Sequence, residues 1–284
     1  MINGKTQLYG LIGNPIEHTK SPFIHNTVAN YYSHNIIYVP FKVDKYKVKE
    51  AVEGLLASNI QGLNITVPFK EKVIPYCYKI DKEAKHIGAI NTLKRTNDGF
   101  VGYNTDVNGL HRALISEDIK IYGEDIIIIG AGGAAKATAY LCAREKAHSI
   151  YILNRTIEKA NELVTSIKKT FSGLDIHPLA LDDYLMLPNK RWIAIQTTPI
   201  GMHPNVKDNI ITDNSFYKQL KVAVDLIYNP LETSFLKKAK KYNVKTTNGL
   251  KMLVYQAILS YEIWQNIDID DKVVIEICNR IINK

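Results

Sequence analysis

A continuous hydrophobic pattern marks the middle of the chain. Residues 126–129 are four consecutive isoleucines, and a glycine-rich segment at 130–135 separates them from helix-forming residues at 136–146. A second apolar run, at 150–153, follows at the spacing of a parallel βαβ crossover. Short continuous apolar runs are typical of strands buried on both faces of a sheet. The pattern therefore predicts a strand, a glycine turn, a helix and a second, parallel strand.

The first third of the chain alternates between short apolar runs and amphipathic stretches. Strands are predicted at residues 8–12, 36–39 and 62–67, and helices at 46–57 and 70–78. Another helix is predicted to start with Ser21 as its N-cap and Pro22 in its first turn. Residues 90–93 and 100–103 flank Asn97-Asp98-Gly99, which is a hairpin signal. Together these elements predict a small N-terminal α/β domain with a mixed sheet.

The pattern changes after residue 105. A longer helix precedes the glycine-rich unit, and further strands at 192–196 and 222–226 complete a doubly wound sheet. A lysine-rich amphipathic stretch at 237–241 precedes a strand-like segment at 244–246, and residues 250–264 and 270–282 have helical spacing. Periodicity alone leaves open which domain the last two helices cover. The predicted fold class is α/β, with a mixed-sheet domain followed by a Rossmann domain.

Composition and charge narrow the class of protein. The chain has 284 residues, of which 46% are hydrophobic and 23% charged, and this favours two globular domains. No apolar run approaches the ~20 residues that span a bilayer, and the N-terminus lacks a signal-peptide core, so a soluble cytoplasmic protein without membrane partners is expected. The net charge of +8 comes without a nucleic-acid-binding motif, so no nucleic-acid partner is expected.

The three cysteines indicate neither disulfides nor a metal site. Cys77, Cys142 and Cys278 are odd in number, far apart and without C-x-x-C spacing. We expect them to be small buried hydrophobic residues, and we expect no metal.

The glycine-rich segment has the order of a dinucleotide-binding fingerprint. Gly130 lets the chain leave the strand in a tight turn, Gly132 lets backbone N–H groups approach a pyrophosphate, and Ala135 lets helix and strand pack closely. The helix N-terminus then faces the phosphates with its partial positive charge. Because the segment lies between a predicted strand and a predicted helix, it favours dinucleotide binding over a simple turn. The predicted cofactor-binding residues here are Gly130, Ala131, Gly132, Gly133, Ala134 and Ala135.

The end of the second strand indicates which dinucleotide is bound. An NAD site usually has Asp or Glu here to bind the ribose 2′-hydroxyl, whereas this chain has Asn154, Arg155, Thr156 and, one turn later, Lys159. Arg155 can make a forked, charge-assisted contact with a 2′-phosphate. Cations at a helix start oppose its dipole, which weakens the alternative of a merely solvated surface. NADP(H) is therefore the predicted cofactor.

Polar side chains follow several predicted strands of the N-terminal domain. Each has a structural alternative, such as an N-cap for Ser21, a turn former for Asn91 or a surface cation for Lys70. Carboxyl ends of strands face the ligand crevice in open α/β sheets, so the set is harder to explain as coincidence than any one member. These hydroxyls, amides and charges predict a polyol-binding site formed by Thr19, Ser21, Thr66, Lys70, Asn91 and Asp106.

The same motifs resemble those of the shikimate dehydrogenases over almost the full chain. The matching blocks begin at Gly13, Asn64, Gly88, Gly102, Gly130, Asn154, Asp225 and Asn248. The resemblance implies NADPH-dependent reduction of 3-dehydroshikimate to shikimate, in the pathway to aromatic amino acids. It also implies that the final helices return to the substrate domain. The implied boundaries are 1–105 with 249–284 for the substrate domain and 106–248 for the Rossmann domain.

The resemblance also assigns roles to residues. Thr19 and Ser21 match the hydroxyl pair that binds the substrate carboxylate, and the other substrate contacts match Thr66, Lys70, Asn91, Asp106 and Gln256. Asn154, Arg155 and Thr156 match the 2′-phosphate clamp. Tyr228 and Gly249 match positions near nicotinamide and substrate, and Thr197 and Met202 lie in a further cofactor-binding motif. The chain departs from the common pattern at Thr19, usually Ser, at Gln196, usually Asn, and at Lys251, often Gly.

A Lys beside an Asp suits the implied reaction. Lys70 can donate a proton to the alkoxide that hydride transfer creates, while Asp106 orients the same hydroxyl and holds the ammonium. Two alternatives stay open, namely the same chemistry on quinate, with NADP or NAD, and a non-catalytic NADP-binding regulatory module. Arg155 argues against NAD, and the Lys70/Asp106 pair argues against the regulatory module. The only partners expected are the small-molecule substrate and cofactor, in a monomer or homodimer.

Overall fold

The computed structural model describes residues 2–283, so Met1 and Lys284, the two ends of the predicted substrate domain, lie outside the described residues. The chain forms two compact units, one made of the residues up to Gly109 and those from Val254 onward, the other of Leu110–Leu253. The sequence prediction placed the boundaries at 105/106 and 248/249. The observed divisions fall slightly later, inside two helices that begin at Asp106 and Leu250.

The first unit is built on a six-stranded mixed sheet. Its strands are β1 (Gln7–Gly13), β2 (Ile36–Lys42), β3 (Gly62–Ile65), β4 (Lys79–Ile80), β5 (Thr92–Thr96) and β6 (Gly99–Tyr103), in the spatial order β2-β1-β3-β5-β6-β4. Parallel pairing holds for β1 with β2 and β3, whereas β5 is antiparallel to β3 and β6. The predicted mixed sheet and hairpin are thus confirmed. The hairpin turns at Asn97 and Asp98.

Among the described residues, six α-helices lie within this unit or enter it. They are α1 (Ser21–Tyr31), α2 (Val48–Ala57), α3 (Lys82–Ile87), the start of α4 (Asp106–Ser116), and, after the second unit, most of α9 (Leu250–Gln265) with α10 (Asp271–Ile282). Asp270 caps α10 by accepting the Lys272 N–H at 2.8 Å. Val273, Val274 and Ile277 are buried, so α10 packs on the unit through its apolar face.

Two local predictions for this unit were wrong. Ser21 is the first residue of α1 rather than its N-cap, and the cap position is occupied by Lys20, which makes no side-chain cap bond. Residues 70–78 form turns and a 3₁₀ helix, Ile74–Tyr76, instead of an α-helix. Pro75 explains the second failure, because proline cannot donate the hydrogen bond that a helix interior requires.

The second unit is a doubly wound parallel sheet. Its strands are β7 (Asp125–Ile129), β8 (Ser149–Asn154), β9 (Ile176–Ala180), β10 (Trp192–Gln196), β11 (Leu220–Asp225) and β12 (Lys245–Thr247), in the spatial order β12-β11-β10-β7-β8-β9. Every recorded strand pair is parallel. This strand order is that of the Rossmann fold. The order of the strands reverses between β7 and β10, and in such sheets ligands bind at that point. The predicted fold class is confirmed.

The crossover helices of this unit are α5 (Gly133–Arg144), α6 (Ile157–Thr170), α7 (Asn214–Lys218) and α8 (Ser234–Lys240). The predicted start of α5 at residue 136 was three residues late, since the glycine segment itself provides the first turn.

The cysteines are free, and Cys142 and Cys278 are buried as expected, but Cys77 is only partly buried, against expectation. Within the described residues, no helix is long and apolar enough to cross a membrane.

Candidate active site

A close ion pair lies at the carboxyl edge of the first sheet. The Lys70 Nζ is 2.5 Å from Asp106 Oδ2, and the two side chains are 28% and 11% exposed. Asp106 opens α4, where the Asn104 side chain accepts the Asp106 N–H at 3.0 Å. Direct contact of these two residues was implied only by the family resemblance. The geometry gives a partly solvated ammonium held by a nearly buried carboxylate.

Lys70 is placed by the core beneath it. The neighbouring Phe69 is fully buried in the apolar cluster of the first unit, next to Ile12, Leu63 and Ile90. The Phe69 N–H donates to the Thr66 carbonyl at 2.9 Å, and the Lys70 carbonyl accepts the Ile90 N–H at 2.8 Å. The backbone at Lys70 is therefore fixed on both sides, and its side chain leaves the core toward Asp106.

Asn91 holds the carboxylate from the opposite side. Its Oδ1 accepts the Thr105 N–H at 2.8 Å, and its Nδ2 donates to Asp106 Oδ1 at 2.9 Å. Gln256 Oε1 lies 3.5 Å from the same Nδ2. The structure thus brings together four predicted residues, Lys70, Asn91, Asp106 and Gln256. In this arrangement Asn91, predicted as a substrate contact, orients Asp106.

Thr19 and Ser21 form a second small group. The Thr19 Oγ1 accepts the Ser21 N–H, the first N–H of α1, at 3.2 Å. Thr66 follows β3, and its methyl group packs so tightly against Gly13 that a side chain at Gly13 would collide with it. The Asn14 N–H donates to the Val67 carbonyl at 3.0 Å. This bond and the Thr66 packing hold the loop after β1 beside the loop after β3.

The glycine turn after β7 has the properties that a dinucleotide site needs. Gly130 has φ +115°, and a Cβ there would lie 2.5 Å from Thr197 Oγ1. At Gly132 and Gly133 an added Cβ would meet nothing within 4 Å, so it would project into the open space before the α5 N-terminus. Ala135 is fully buried. A small backbone cradle thus precedes a helix start whose first N–H groups have no partners within the helix.

The end of β8 presents cationic rather than acidic chemistry. Asn154 occupies the last strand position, and its Nδ2 donates to the Thr156 carbonyl at 2.8 Å. Arg155, Thr156 and Lys159 are exposed around the start of α6. An amide and a guanidinium suit a 2′-phosphate, whereas a 2′-hydroxyl is usually bound by a carboxylate.

The loop after β10 is fixed to the glycine turn. Thr197 donates both its N–H and its hydroxyl to the Ile129 carbonyl, at 2.9 and 2.8 Å. Its hydroxyl, predicted to contact cofactor, is thus used to hold the loop against β7. Gln196 is fully buried, accepts the Thr198 N–H and donates to the Ile200 carbonyl at 3.1 Å. Met202, at the end of this loop, is 45% exposed.

Tyr228 and Gly249 lie in the second unit, in two neighbouring turns. Tyr228 is half-buried, and burial raises its pKa. Gly249 is buried against the Leu226 carbonyl, so closely that any side chain would collide with it, and its N–H donates to the Ile227 carbonyl at 2.9 Å. Close backbone packing therefore gives Gly249 a structural reason to be glycine, separate from its predicted cofactor contact. Lys251, a departure from the family pattern, forms an ion pair with Glu117.

The sequence did not reveal several buried polar residues that lie behind the Lys70–Asp106 pair. Thr92, Thr105 and Ser260 are buried, and Asn64 connects them to the Tyr38 hydroxyl, which donates to Asn64 Oδ1 at 2.8 Å. A serine four residues after Gln256, within the apolar middle of α9, was the available signal. Among the described residues, no group of three or more His, Cys, Asp or Glu side chains could hold a metal ion.

Comparison with known proteins gives a consistent family. The family model for the shikimate dehydrogenase substrate binding domain matches residues 11–93, and that for shikimate / quinate 5-dehydrogenase matches residues 113–198. A shikimate dehydrogenase (NADP(+)) of Methanocaldococcus jannaschii is 41% identical over 278 residues, covering 94% of each chain.

Two solved structures extend the comparison to three dimensions. A crystal structure of a shikimate dehydrogenase in complex with NADP+ has a TM-score of 0.91 at 39% identity, covering 100% of this chain and 98% of the other. A shikimate 5-dehydrogenase from Listeria monocytogenes, in complex with shikimate and NAD, has a TM-score of 0.89 at 29% identity over 97% of each chain. With sequence identity and fold in agreement over nearly the whole length, this chain belongs to the shikimate dehydrogenase family.

Proposed function

We propose that this protein is an NADP-dependent shikimate dehydrogenase, which reversibly reduces 3-dehydroshikimate to shikimate in the pathway to chorismate and the aromatic amino acids. The observation that carries the proposal is the Lys70–Asp106 ion pair, held by Asn91 in a chain of this family. The name of the Methanocaldococcus jannaschii relative includes NADP(+), and a similar solved structure contains NADP+. Both agree with the cationic end of β8.

The cofactor would be held by the glycine turn and by Arg155, with Asn154, Thr156 and Lys159 around the 2′-phosphate. The open space at Gly132 and Gly133 fits a pyrophosphate at the α5 N-terminus, and the exposed guanidinium fits a phosphate monoester. When bound, NADPH supplies the hydride. We propose that Ala131, Ala134, Met202 and Gly249 line the same site, and that Thr197 supports it through Ile129.

The proton chemistry falls to Lys70 and Asp106. Reduction of the ring ketone places negative charge on its oxygen, and the Lys70 ammonium donates the proton that neutralises it. Asp106 accepts a hydrogen bond from the same hydroxyl and keeps the ammonium in place at 2.5 Å. Because the Lys70 side chain is partly exposed, solvent can restore its proton. In the reverse direction, the neutral amine removes the proton from the shikimate hydroxyl.

The remaining predicted contacts orient the substrate ring. We propose that Thr19 and Ser21 donate hydroxyl protons to the carboxylate, and that Thr66, Gln256 and Tyr228 contact the rest of the molecule. The Thr19 hydroxyl proton is free for this role, because its oxygen acts as an acceptor toward the Ser21 N–H. Cytoplasmic location and a monomeric or homodimeric state stay predictions.

A single assay tests the proposal. Purified protein is mixed with shikimate and NADP+, and reduced nicotinamide is followed by absorbance, with quinate and NAD+ in parallel reactions. We expect fastest reduction with shikimate and NADP+. Faster turnover of quinate would favour the second candidate, for which the matched shikimate / quinate family model speaks. Cofactor binding without turnover of either acid would show a non-catalytic module and refute the proposal.

A further inference from the structure

Three hydroxyl groups form a buried cluster behind the Lys70–Asp106 pair. Thr92 lies at the start of β5, Thr105 just before α4, and Ser260 in the middle of α9, and all three are buried. Ser260 and Gln256 are one helical turn apart, so they lie on the same face of α9. We call these three residues the hydroxyl cluster. It connects α9 to the residues around Asp106.

Ser260 has an unusually complete set of partners. Its Oγ is 2.7 Å from Thr92 Oγ1, 2.9 Å from Asn64 Nδ2, 3.3 Å from Thr105 Oγ1 and 2.9 Å from the Gln256 carbonyl. A hydroxyl has one proton and two acceptor sites. Since the Asn64 amide nitrogen can only donate, Ser260 accepts from it. The Gln256 carbonyl, which can only accept, also lies within reach of the single Ser260 proton. Because the Thr105 hydroxyl donates to that carbonyl at 2.9 Å, we assign the Ser260 proton to Thr92, its nearest partner.

This assignment sets the direction of the remaining bonds. If Thr92 accepts from Ser260, its own proton goes to Asn91 Oδ1, 3.0 Å away. Asn91 Oδ1 also accepts the Thr105 N–H, so the amide cannot flip without losing both bonds. Asn91 Nδ2 must then face Asp106, whose ionised carboxylate can only accept. The Thr105 hydroxyl proton goes to the Gln256 carbonyl at 2.9 Å.

We propose that Ser260 is a positioning residue for catalysis: through Thr92 and Asn91 it fixes the Asp106 carboxylate that holds Lys70, and through its helix it places Gln256. This role rests on the proposed function. Ser260 touches neither Lys70 nor Asp106, so it acts through other residues. Its loss removes the donor that aligns the Thr92 hydroxyl, so the Thr92 bond to Asn91 Oδ1 is no longer fixed. The Asp106 carboxylate is then held less firmly in the geometry that directs the Lys70 proton.

The test compares two fully buried serines by kinetics. Ser260→Ala removes one hydroxyl from the hydroxyl cluster. Ser149→Ala removes a hydroxyl that binds Asp125 where β7 and β8 begin, at the amino edge of the second sheet. We expect Ser260→Ala to lower kcat/KM for shikimate on the order of 10- to 100-fold, because small misplacement of reacting groups has effects of that size. The KM for NADP+ should change less than about twofold, and Ser149→Ala should leave both values near wild type.

A second variant separates hydrogen bonding from packing. Ser260→Cys fills nearly the same space, but a thiol is a weak donor, so kcat/KM for shikimate should fall as in Ser260→Ala while the melting temperature stays close to wild type. Wild-type kcat/KM in either variant would refute the positioning role. So would equal losses for shikimate and NADP+, which indicate general disruption. An inactive wild type would instead refute the proposed function, and the positioning role with it.

Discussion

Lys70 is the residue on which the proposed chemistry depends most directly. It is held between the buried Phe69 and the Asp106 carboxylate, with its ammonium partly open to solvent. We expect Lys70→Ala to lower kcat by ~10²- to 10⁴-fold, which is the usual contribution of a positioned acid or base, with little change in NADP+ binding. Steady-state kinetics and a cofactor titration measure the two effects.

Lys72→Ala is the matched control for this change, because Lys72 is an exposed lysine two residues away. It should behave like wild type in both measurements. Turnover of Lys70→Ala near the wild-type value would mean that Lys70 is a surface cation, and the proton-transfer scheme would have to be abandoned.

Arg155 carries the prediction on cofactor choice. Its exposed guanidinium follows Asn154 at the end of β8, where an NAD-binding site usually has a carboxylate. Arg155→Ala should weaken NADPH binding by roughly 1.5 to 3 kcal/mol, the value of a charged hydrogen bond, and leave NADH binding nearly unchanged. Titration of both reduced cofactors into both proteins gives the difference.

The control for Arg155 lies on the same helix. Lys168→Ala removes an exposed cation in the last turn of α6, far from the strand end, and should change neither affinity. If Arg155→Ala weakens NADPH and NADH binding equally, the guanidinium does not contact the 2′-phosphate. Because Lys168→Ala removes the same unit charge as Arg155→Ala, the comparison separates a local contact from the effect of overall charge.

At the scale of elements, the sequence predicted best where one periodicity dominated. The isoleucines of β7 and the glycine turn after it specify a buried strand and a close approach, and both were found. The failures came where a local signal competed with the surroundings. The Ser21-Pro22 pair predicts a cap followed by a helix. In the structure Ser21 is already the first helical residue, and its N–H donates to the Thr19 hydroxyl.

The candidate site was predictable only in part, for a related reason. Strand-end polar residues can be recognised in sequence because such positions in an open α/β sheet face a ligand crevice. The hydroxyl cluster could not be recognised, since Thr92, Thr105 and Ser260 come from three elements that only the fold brings together. Likewise, the use of Asn91 to orient Asp106 depends on the position of the Thr105 N–H, which no spacing in the sequence specifies.

The loop after β10 gives a prediction that belongs to the element rather than to one contact. Gln196 is a buried side chain that bonds the backbone of Thr198 and Ile200, so it sets the shape of the loop that ends at Met202. Gln196→Leu keeps the volume but leaves both backbone groups without this partner. We expect a loss of unfolding free energy of about 1 to 3 kcal/mol and a raised KM for NADP+.

The KM for shikimate distinguishes loop disorder from global damage. It should change little in Gln196→Leu, because the loop belongs to the second unit, whereas the predicted carboxylate and acid–base residues belong to the first. Gln196→Asn is the conservative comparison, since Asn is the common residue in the family. If Gln196→Leu retains the wild-type KM for NADP+, the loop shape is set by Thr197 and Ile129 instead.

At the scale of the whole molecule, each unit combines a sheet with a set of polar groups at its carboxyl edge. Burying a charged group at this edge lowers the free energy of unfolding. Asp225, at the end of β11, is fully buried. It accepts the Thr233 hydroxyl at 2.6 Å and the Ile227 N–H at 3.0 Å. Burial dominates over these bonds and raises the pKa of Asp225 from 3.8 to about 6.

The sign of the effect on stability follows from that direction. A carboxyl whose pKa is raised by folding contributes fully below its unfolded pKa of 3.8, and the contribution is lost as the pH rises through about 6. Between pH 4 and pH 7 the ionised Asp225 should therefore cost the folded state on the order of 3 kcal/mol, at ~1.4 kcal/mol per pKa unit. Asn in its place keeps an acceptor for Ile227 and has no charge to bury.

Asp225→Asn should consequently gain unfolding free energy relative to wild type as the pH rises from 4 to 7, measured by denaturant unfolding at several pH values. Asp213→Asn is the control of opposite sign. Asp213 accepts the Ser215 N–H at the start of α7, and this bond lowers the pKa of Asp213 below 3.8. The wild type should therefore gain relative to that variant as the pH rises toward 3.8, and the difference should stay nearly flat from pH 4 to pH 7. A flat difference between wild type and Asp225→Asn would mean that Asp225 titrates alike in the folded and unfolded chains. The Thr233 and Ile227 bonds would then fully offset its burial.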